Sequence, residues 1–162
     1  MNADFETIYR NHRQGLFTLA LSITRKADMA EDAVQEGFVR LFARDRQPTG
    51  DPVAYAFATV RNAAIDQARR RRPVGEAIYN GQVAAQGGPE SAAVAAERDQ
   101  IMRQAMDELP EQQRQAVVLK IYADLTFEQI TQVVGAPLGT VTSRYHRAIE
   151  KMRQRLGSCV GS

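Results

Sequence analysis

The chain has 162 residues, of which 44% are hydrophobic and 25% charged, as is usual for folded globular proteins. It has no apolar run near the roughly 20 residues that a membrane-spanning helix needs, and residues 1–10 do not follow the pattern of a secretion signal. The single cysteine, Cys159, offers neither an internal disulfide nor a metal cluster. We therefore expect a cytoplasmic protein with no metal site and no cofactor.

The net charge of +2 is unevenly distributed along the chain. Residues 51–73 carry a net charge of +3 and residues 137–162 carry +4, whereas residues 74–136 between them carry −5. Proteins that bind nucleic acids gather positive charge on particular surfaces. The two basic blocks are thus candidate nucleic-acid-binding regions.

Three amphipathic helices are predicted in the first part of the chain. Apolar residues recur there at intervals of three and four, the period of a helix with one buried face. Phe38 and Phe42 belong to that face in the second helix. We expect these helices to form a first domain, residues 1–73. They are predicted over residues 4–24, 28–44 and 52–72.

Local signals mark the start of two of these helices. Asp28 and Glu31 have the spacing of a capping pair for the second helix. Asp51 as N-cap and Pro52 at the first helical position start the third helix, after a polar loop at residues 45–50.

Residues 74–90 are predicted to be a flexible linker, because they contain four glycines and little periodicity. Helical spacing then returns, so residues 91–162 are expected to form a second helical domain. No strand-like alternation is convincing. The predicted fold is all-α, with two small helical domains joined by a flexible linker.

The second domain has the pattern of a helix-turn-helix. Thr126 and Gln129 fit a capping box at the start of a short helix, Gly135 ends that helix, and Pro137 starts a longer one. In this motif the second helix enters the major groove of DNA. If Val141 faces the core, polar and basic side chains that suit base edges and phosphates face outward. These are Thr140, Ser143, Arg144 and Arg147.

Two further helix surfaces are candidate binding sites. On the third helix, Tyr55 and Asn62 are suited to holding an unstacked base, and the arginines at 69–72 suit a DNA backbone. A stripe on the second helix is suited to docking a basic helical partner. An ordinary solvated helix surface also explains each of these patterns taken alone. The stripe on the second helix consists of Asp32, Gln35, Glu36 and Val39.

Nearly the whole chain resembles the sigma factors of bacterial RNA polymerase, specifically the small extracytoplasmic-function (ECF) group. Residues 28–42, DMAEDAVQEGFVRLF, resemble the family's polymerase-binding segment. Residues 109–156 resemble its helix-turn-helix domain, including LPEQQRQAVVL, LTFEQI and GTVTSRYHRA. The resemblance implies a non-enzymatic factor that directs core polymerase to promoters and assists promoter melting.

The resemblance also implies partners and site residues. The partners are core RNA polymerase, promoter DNA and an anti-sigma factor. The residues assigned to the clamp helices of the largest polymerase subunit are Asp32, Gln35, Glu36 and Val39. Those assigned to the minus-ten element are Arg46, Tyr55, Asn62, Asp66, Arg69 and Arg70. Those assigned to the minus-thirty-five element are Thr140, Ser143, Arg144 and Arg147.

Two positions depart from the usual family pattern. Tyr55 stands where the family usually has Trp, and Thr142 stands where Lys is common. The recognised promoter sequence therefore does not transfer by resemblance.

Three other functional classes are weaker alternatives. An enzyme is disfavoured because His12 and His146 are far apart in sequence and Cys159 has no evident partner. A stand-alone helix-turn-helix regulator leaves the first domain unexplained. A purely protein-binding adaptor leaves the two basic blocks unexplained.

Overall fold

The structure, a computed structural model, describes residues 4–44, 49–70 and 89–160, without the side chains of residues 89–95 and 158–160. Within these ranges all regular structure is helical, which confirms the predicted all-α class. No helix there is long and apolar enough to cross a membrane. The predicted linker lies outside the described residues except for residues 89 and 90. The helices are α1 (Phe5–Thr24), α2 (Ala27–Phe42), α3 (Pro52–Arg70), α4 (Pro89–Asp107), α5 (Glu111–Val117), a π-helix (Val118–Tyr122), α6 (Phe127–Val134) and α7 (Leu138–Val160).

Helices α1, α2 and α3 form a three-helix domain around fully buried apolar side chains. Leu16, Leu19, Phe57 and Val60 are completely shielded from solvent. Gly37 brings α2 close to α3, because a Cβ there would lie 2.7 Å from Cγ2 of Val60 and 3.0 Å from its Cα. The small residue thus sets the distance between the two helices.

The second domain contains the predicted helix-turn-helix. The Thr126 side chain accepts from the Gln129 N–H and the Gln129 side chain accepts from the Thr126 N–H, so the predicted capping box is present. Gly135 ends α6 with a φ of 68°. Val141 and Ala148 of α7 are fully buried. This packing fixes which side of α7 faces outward.

Two local predictions are wrong. Helix α2 begins at Ala27, with Lys26 as an N-cap that makes no side-chain hydrogen bond, so Asp28 lies inside the first turn. The reason is that α1 ends at Arg25 in the left-handed conformation (φ 65°), which leaves a connection of only two residues. Phe42, predicted on the buried face, is 62% exposed because it lies at the end of α2.

The two domains pack against each other, which the sequence analysis did not predict. Their buried apolar residues form one continuous cluster. The domains approach closely at Gly15 of α1, where a Cβ would be 2.9 Å from Cα and Cβ of Ala123. No side chain other than hydrogen fits there without a shift of the backbone.

A buried guanidinium ties the end of α1 to the turn between α4 and α5. The side chain of Arg114 donates to the carbonyl oxygens of Met106 (3.1 Å), Ser22 (3.2 Å), Asp107 (3.4 Å) and Leu109 (2.8 Å). Arg114 is only 5% exposed. One charged group thus satisfies carbonyl groups of both domains, which burial would otherwise leave without partners.

An ion pair lies beside this buried guanidinium. Nη1 of Arg25 is 3.0 Å from Oδ1 of Asp107. Burial raises the pKa of the Asp107 carboxyl, and Arg25 and Arg114 only partly oppose that effect. The effect of burial on the pKa of Asp107 is therefore larger than the opposing effect of the two arginines.

Replacing Gly15 by alanine is expected to lower the free energy of unfolding by about 1–3 kcal/mol, the usual range for an overpacked core. The added methyl group collides with Ala123 and pushes α1 away from the second domain. Urea unfolding followed by circular dichroism measures the change. Gly157→Ala is the matched control, because a Cβ there meets nothing within 4 Å. A Gly15→Ala protein as stable as the control variant would contradict the packing.

Replacing Arg114 by methionine is expected to cost about 3 kcal/mol of unfolding free energy, because buried carbonyl groups lose charged donors. The control is Arg153→Met, which removes an exposed arginine of α7 and should change stability by less than about 0.5 kcal/mol. Equal stability of the two variants in urea unfolding would show that the buried guanidinium is dispensable.

Candidate partner and nucleic-acid interfaces

The four residues predicted on α2 share one solvent-facing stripe. Asp32 and Gln35 are exposed, Glu36 is partly buried and Val39 exposes 67% of its surface. Carboxylates around an exposed aliphatic side chain suit a helical partner with basic residues, because charge sets the orientation and the aliphatic group adds buried area. The four predicted residues therefore lie on one outward-facing side of α2 in the structure.

Aromatic side chains extend this surface towards the start of α1. The ring centroids of Tyr9 and Phe38 are 5.1 Å apart, and those of Phe5 and Phe42 are 6.4 Å apart, both in edge-on contact. Tyr9 remains 39% exposed. The exposed rings of Tyr9 and Phe42 add apolar area that a partner could bury. Helical periodicity alone predicts Phe42 on the buried face.

The residues predicted on α3 lie about whole helical turns apart, so they share one side of the helix. Asn62 is exposed, as are Arg69 and Arg70, whereas Tyr55 and Asp66 are partly buried. Arg46, assigned to the same surface, lies outside the described residues. The structure thus places an aromatic ring, an amide and two arginines along one surface.

Arg44, which the sequence analysis did not single out, covers one side of the Tyr55 ring. Its guanidinium carbon is 5.0 Å from the ring centroid, a cation–π contact. A base that stacks on the same side of the ring must displace this arginine.

Four charged side chains form a cluster between α2 and α3, which we call the four-charge cluster: Glu36, Arg40, Asp66 and Arg70. Nη2 of Arg40 lies 2.7 Å from Oε2 of Glu36 and 3.2 Å from Oδ2 of Asp66. Nη2 of Arg70 lies 3.4 Å from Oε1 of Glu36. Arg40 is not among the residues predicted from the sequence, although its spacing of four residues from Glu36 is a recognisable ion-pair signal.

The residues predicted to read DNA on α7 line one groove of about 640 Å³. Thr140 and Arg147 are exposed, and Ser143 and Arg144 are partly buried. The start of α5 forms the other side of the groove and adds amide groups that the sequence analysis missed. The remaining lining residues are Pro110, Gln112, Gln113, Pro137 and Gly139.

The position of α7 is fixed by its apolar side. The rings of Phe127 and Tyr145 pack edge-on with centroids 5.4 Å apart, which joins α6 to α7. Leu138 is 48% exposed and His146 is exposed, although neither was predicted as a site residue. Thr142, at the position where Lys is common in the family, donates its hydroxyl to the Gly139 carbonyl oxygen at 3.1 Å.

Polar contacts join the first domain to α5 and α6. Nε2 of Gln129 donates to Oδ2 of Asp51 at 2.7 Å, and Nε of Arg61 donates to Oε1 of Gln115 at 2.7 Å. Burial lowers the pKa of Arg61; Glu111 opposes this effect, and Arg144 on α7 adds to it. Helices α7 and α3 are therefore electrostatic neighbours in this arrangement.

Comparison with known proteins identifies both halves of the chain. The sequence profile described as Sigma-70 region 2 matches residues 8–74. The profile described as Sigma-70, region 4 matches residues 99–152.

Two curated relatives match over most of their own length. ECF RNA polymerase sigma factor SigW of Bacillus subtilis is 29% identical over 95% of this chain and 88% of the relative. ECF RNA polymerase sigma factor EcfG of Rhodopseudomonas palustris is 32% identical over 85% of this chain and 76% of the relative.

A solved structure shares the fold. It is the co-crystal structure of the sigma factor RpoE with the anti-sigma factor NepR from Bartonella quintana, which is 24% identical with a TM-score of 0.72 and covers 98% of this chain and 99% of that chain. The two profiles and the curated relatives show that the chain belongs to the ECF group of the sigma-70 family, the sigma factors that direct RNA polymerase to promoters.

Proposed function

We propose that this sigma factor uses three separate surfaces in initiation, two on residues 1–73 and one on residues 91–162. The observation that carries the proposal is the common groove beside α7, where Thr140, Arg144 and Arg147 converge. Residues 74–90 connect the two domains as the linker, which in the polymerase complex runs towards the active-site cleft.

The stripe on α2 is the proposed docking surface for the clamp helices of the largest polymerase subunit. Asp32, Gln35 and Glu36 supply acceptors for basic groups, and Val39 supplies the exposed apolar contact. Charge complementarity of this kind orients a partner and speeds association.

The side of α3 is the proposed surface for the minus-ten element. Tyr55, Asn62 and Asp66, with the loop containing Arg46, capture a flipped base and its neighbours, and Arg69 and Arg70 contact the backbone. Unstacking a base costs a few kcal/mol, which contacts in the pocket offset. Binding at this surface therefore holds promoter DNA in the melted state.

The recognition helix α7 is the proposed reader of the minus-thirty-five element. Thr140, Ser143, Arg144 and Arg147 face the major groove, where Arg makes bidentate contacts to guanine. Gln112 and Gln113 lie across the same groove and are positioned to reach the adjacent phosphates.

The two domains must separate before both DNA surfaces bind one promoter. The two elements are about 25 base pairs apart, or about 85 Å at 3.4 Å per pair. In the structure α6 contacts the start of α3, with Gln129 2.7 Å from Asp51. The packed arrangement therefore represents the factor away from the promoter.

The protein performs no covalent chemistry in this proposal, since polymerase supplies the catalysis. It acts in the cytoplasm, where its partners are core polymerase and promoter DNA, and an anti-sigma factor holds it inactive. The complex of the structural relative RpoE with the anti-sigma factor NepR supports that last partner.

Defined start sites are expected when the protein is added to core polymerase and a library of upstream sequences in vitro. Asp32→Arg/Glu36→Arg should abolish them, because the basic side chains repel the basic partner surface. Glu6→Arg/Glu97→Arg is the matched control, with the same change in charge at exposed positions outside the proposed stripe. If no start sites form but the protein alone retains specific duplexes, it is a stand-alone regulator and the role of the first domain is wrong.

Replacing Arg144 or Arg147 by alanine is expected to weaken promoter binding by the polymerase complex by about 5- to 150-fold if the lost contact is bidentate to a base. Core polymerase affinity should not change. Fluorescence anisotropy with labelled promoter DNA and with labelled core polymerase measures both affinities. Arg98→Ala on the exposed side of α4 controls for net charge. Equal loss of both affinities would argue against this assignment of the second domain.

A further inference from the structure

The four-charge cluster joins two surfaces that the proposed function keeps separate. Glu36 belongs to the polymerase-docking stripe, whereas Asp66 and Arg70 belong to the minus-ten surface. Arg40 has no assigned role, yet one of its nitrogens, Nη2, lies within 3.2 Å of carboxylate oxygens of both Glu36 and Asp66. The cluster is therefore a direct physical connection between the two surfaces.

Arg70 and Glu36 are the two members of the cluster for which outside partners compete. The side chain of Arg70 is 62% exposed and that of Glu36 is 29% exposed, and the two are 3.4 Å apart. A cation that docks on Glu36 competes with Arg70 for the same carboxylate. A phosphate that binds Arg70 competes with Glu36 for the same guanidinium.

We propose that the four-charge cluster couples docking of polymerase to binding of the minus-ten strand, with Arg40 as the positioning residue between them. The inference rests on the proposed function. When a basic group of polymerase occupies Glu36, Arg70 loses its carboxylate partner and becomes available to the DNA backbone. The coupling is reciprocal, since DNA on Arg70 equally frees Glu36 for polymerase.

Arg40 contributes to this coupling by neutralising Asp66. A carboxylate on a DNA-binding surface repels the phosphate backbone unless a cation offsets its charge. In the free protein, Nη2 of Arg40 donates to the carboxylates of both Glu36 and Asp66. Once polymerase holds Glu36, the guanidinium is free to pair with Asp66 alone, and the repulsion of DNA falls.

The size of the effect follows from the exposure of the groups. Ion pairs between exposed side chains are weak, so breaking one of them changes an affinity by no more than about fivefold. The cluster therefore tunes the order and strength of binding and does not act as an all-or-none switch.

A double-mutant cycle on core polymerase affinity tests the competition. The proteins are wild type, Glu36→Gln, Arg70→Gln and the double variant, measured by anisotropy with labelled core polymerase and no DNA. Arg70→Gln should bind core polymerase about two- to fivefold more tightly than wild type, because Glu36 is released. In the Glu36→Gln background the same substitution should have no effect.

The matched control is Arg10→Gln, which breaks another exposed ion pair of the same 3.4 Å length, with Glu6 on α1. It removes the same charge and should leave core polymerase affinity unchanged. The competition is wrong if Arg70→Gln does not tighten binding relative to Arg10→Gln, or if it tightens binding equally without Glu36. If wild type itself fails to bind core polymerase, the proposed function fails and the coupling with it.

A second measurement tests Arg40 on DNA. Polymerase assembled with Arg40→Gln should bind a fork-junction DNA carrying only the minus-ten element about two- to fivefold more weakly than wild type, because Asp66 is left without its cation. Arg40→Lys should restore most of the affinity, since it keeps the charge. Equal affinities of the Gln and Lys variants would rule out neutralisation as the role of Arg40.

Discussion

The buried guanidinium of Arg114 is the contact on which the relative placement of the two domains depends. Its guanidinium joins the two domains, because the carbonyl oxygens to which it donates belong to the end of α1 and to the turn before α5. Around it the domain contact combines a continuous apolar cluster with polar contacts made by Gln115 and Gln129. The hydrogen bonds fix the orientation of the two domains, and burial of the apolar residues stabilises the packed arrangement.

Most of the helical architecture could be predicted from periodicity and turn chemistry. The capping box at Thr126 and the left-handed Gly135 were predictable because each depends on a short run of sequence. The start of α2 was not, because it is set by the left-handed Arg25 that ends the preceding helix. The packing of the domains was also missed. Its determinants, such as Gly15 and Gln115, have the local sequence pattern of ordinary helix residues.

The candidate sites were predictable to the extent that they lie on single helices. The stripe containing Glu36 and the recognition surface containing Arg147 follow from helical spacing, and the structure groups them as expected, while their roles stay predictions. Contacts between helices were not predictable. The proximity of Arg40 to Asp66, and of the amide of Gln113 to the recognition helix, requires the tertiary structure. The spacing of these residues alone also fits an ordinary solvated surface. Their proposed roles therefore come from the resemblance to the family.

The π-helix after α5 limits how the length of this chain can vary. Its wide turn, closed by the Ala123 N–H donating to the Val118 carbonyl oxygen at 2.9 Å, holds one residue more than an α-helical turn would. That extra residue leaves Ile121 52% exposed and brings Ala123 against Gly15. Deleting a residue here would shorten the path from α5 to Ala123 and displace Ala123 from its contact with Gly15. Insertions and deletions should therefore be tolerated far less in this segment than in the surface loops of the same protein.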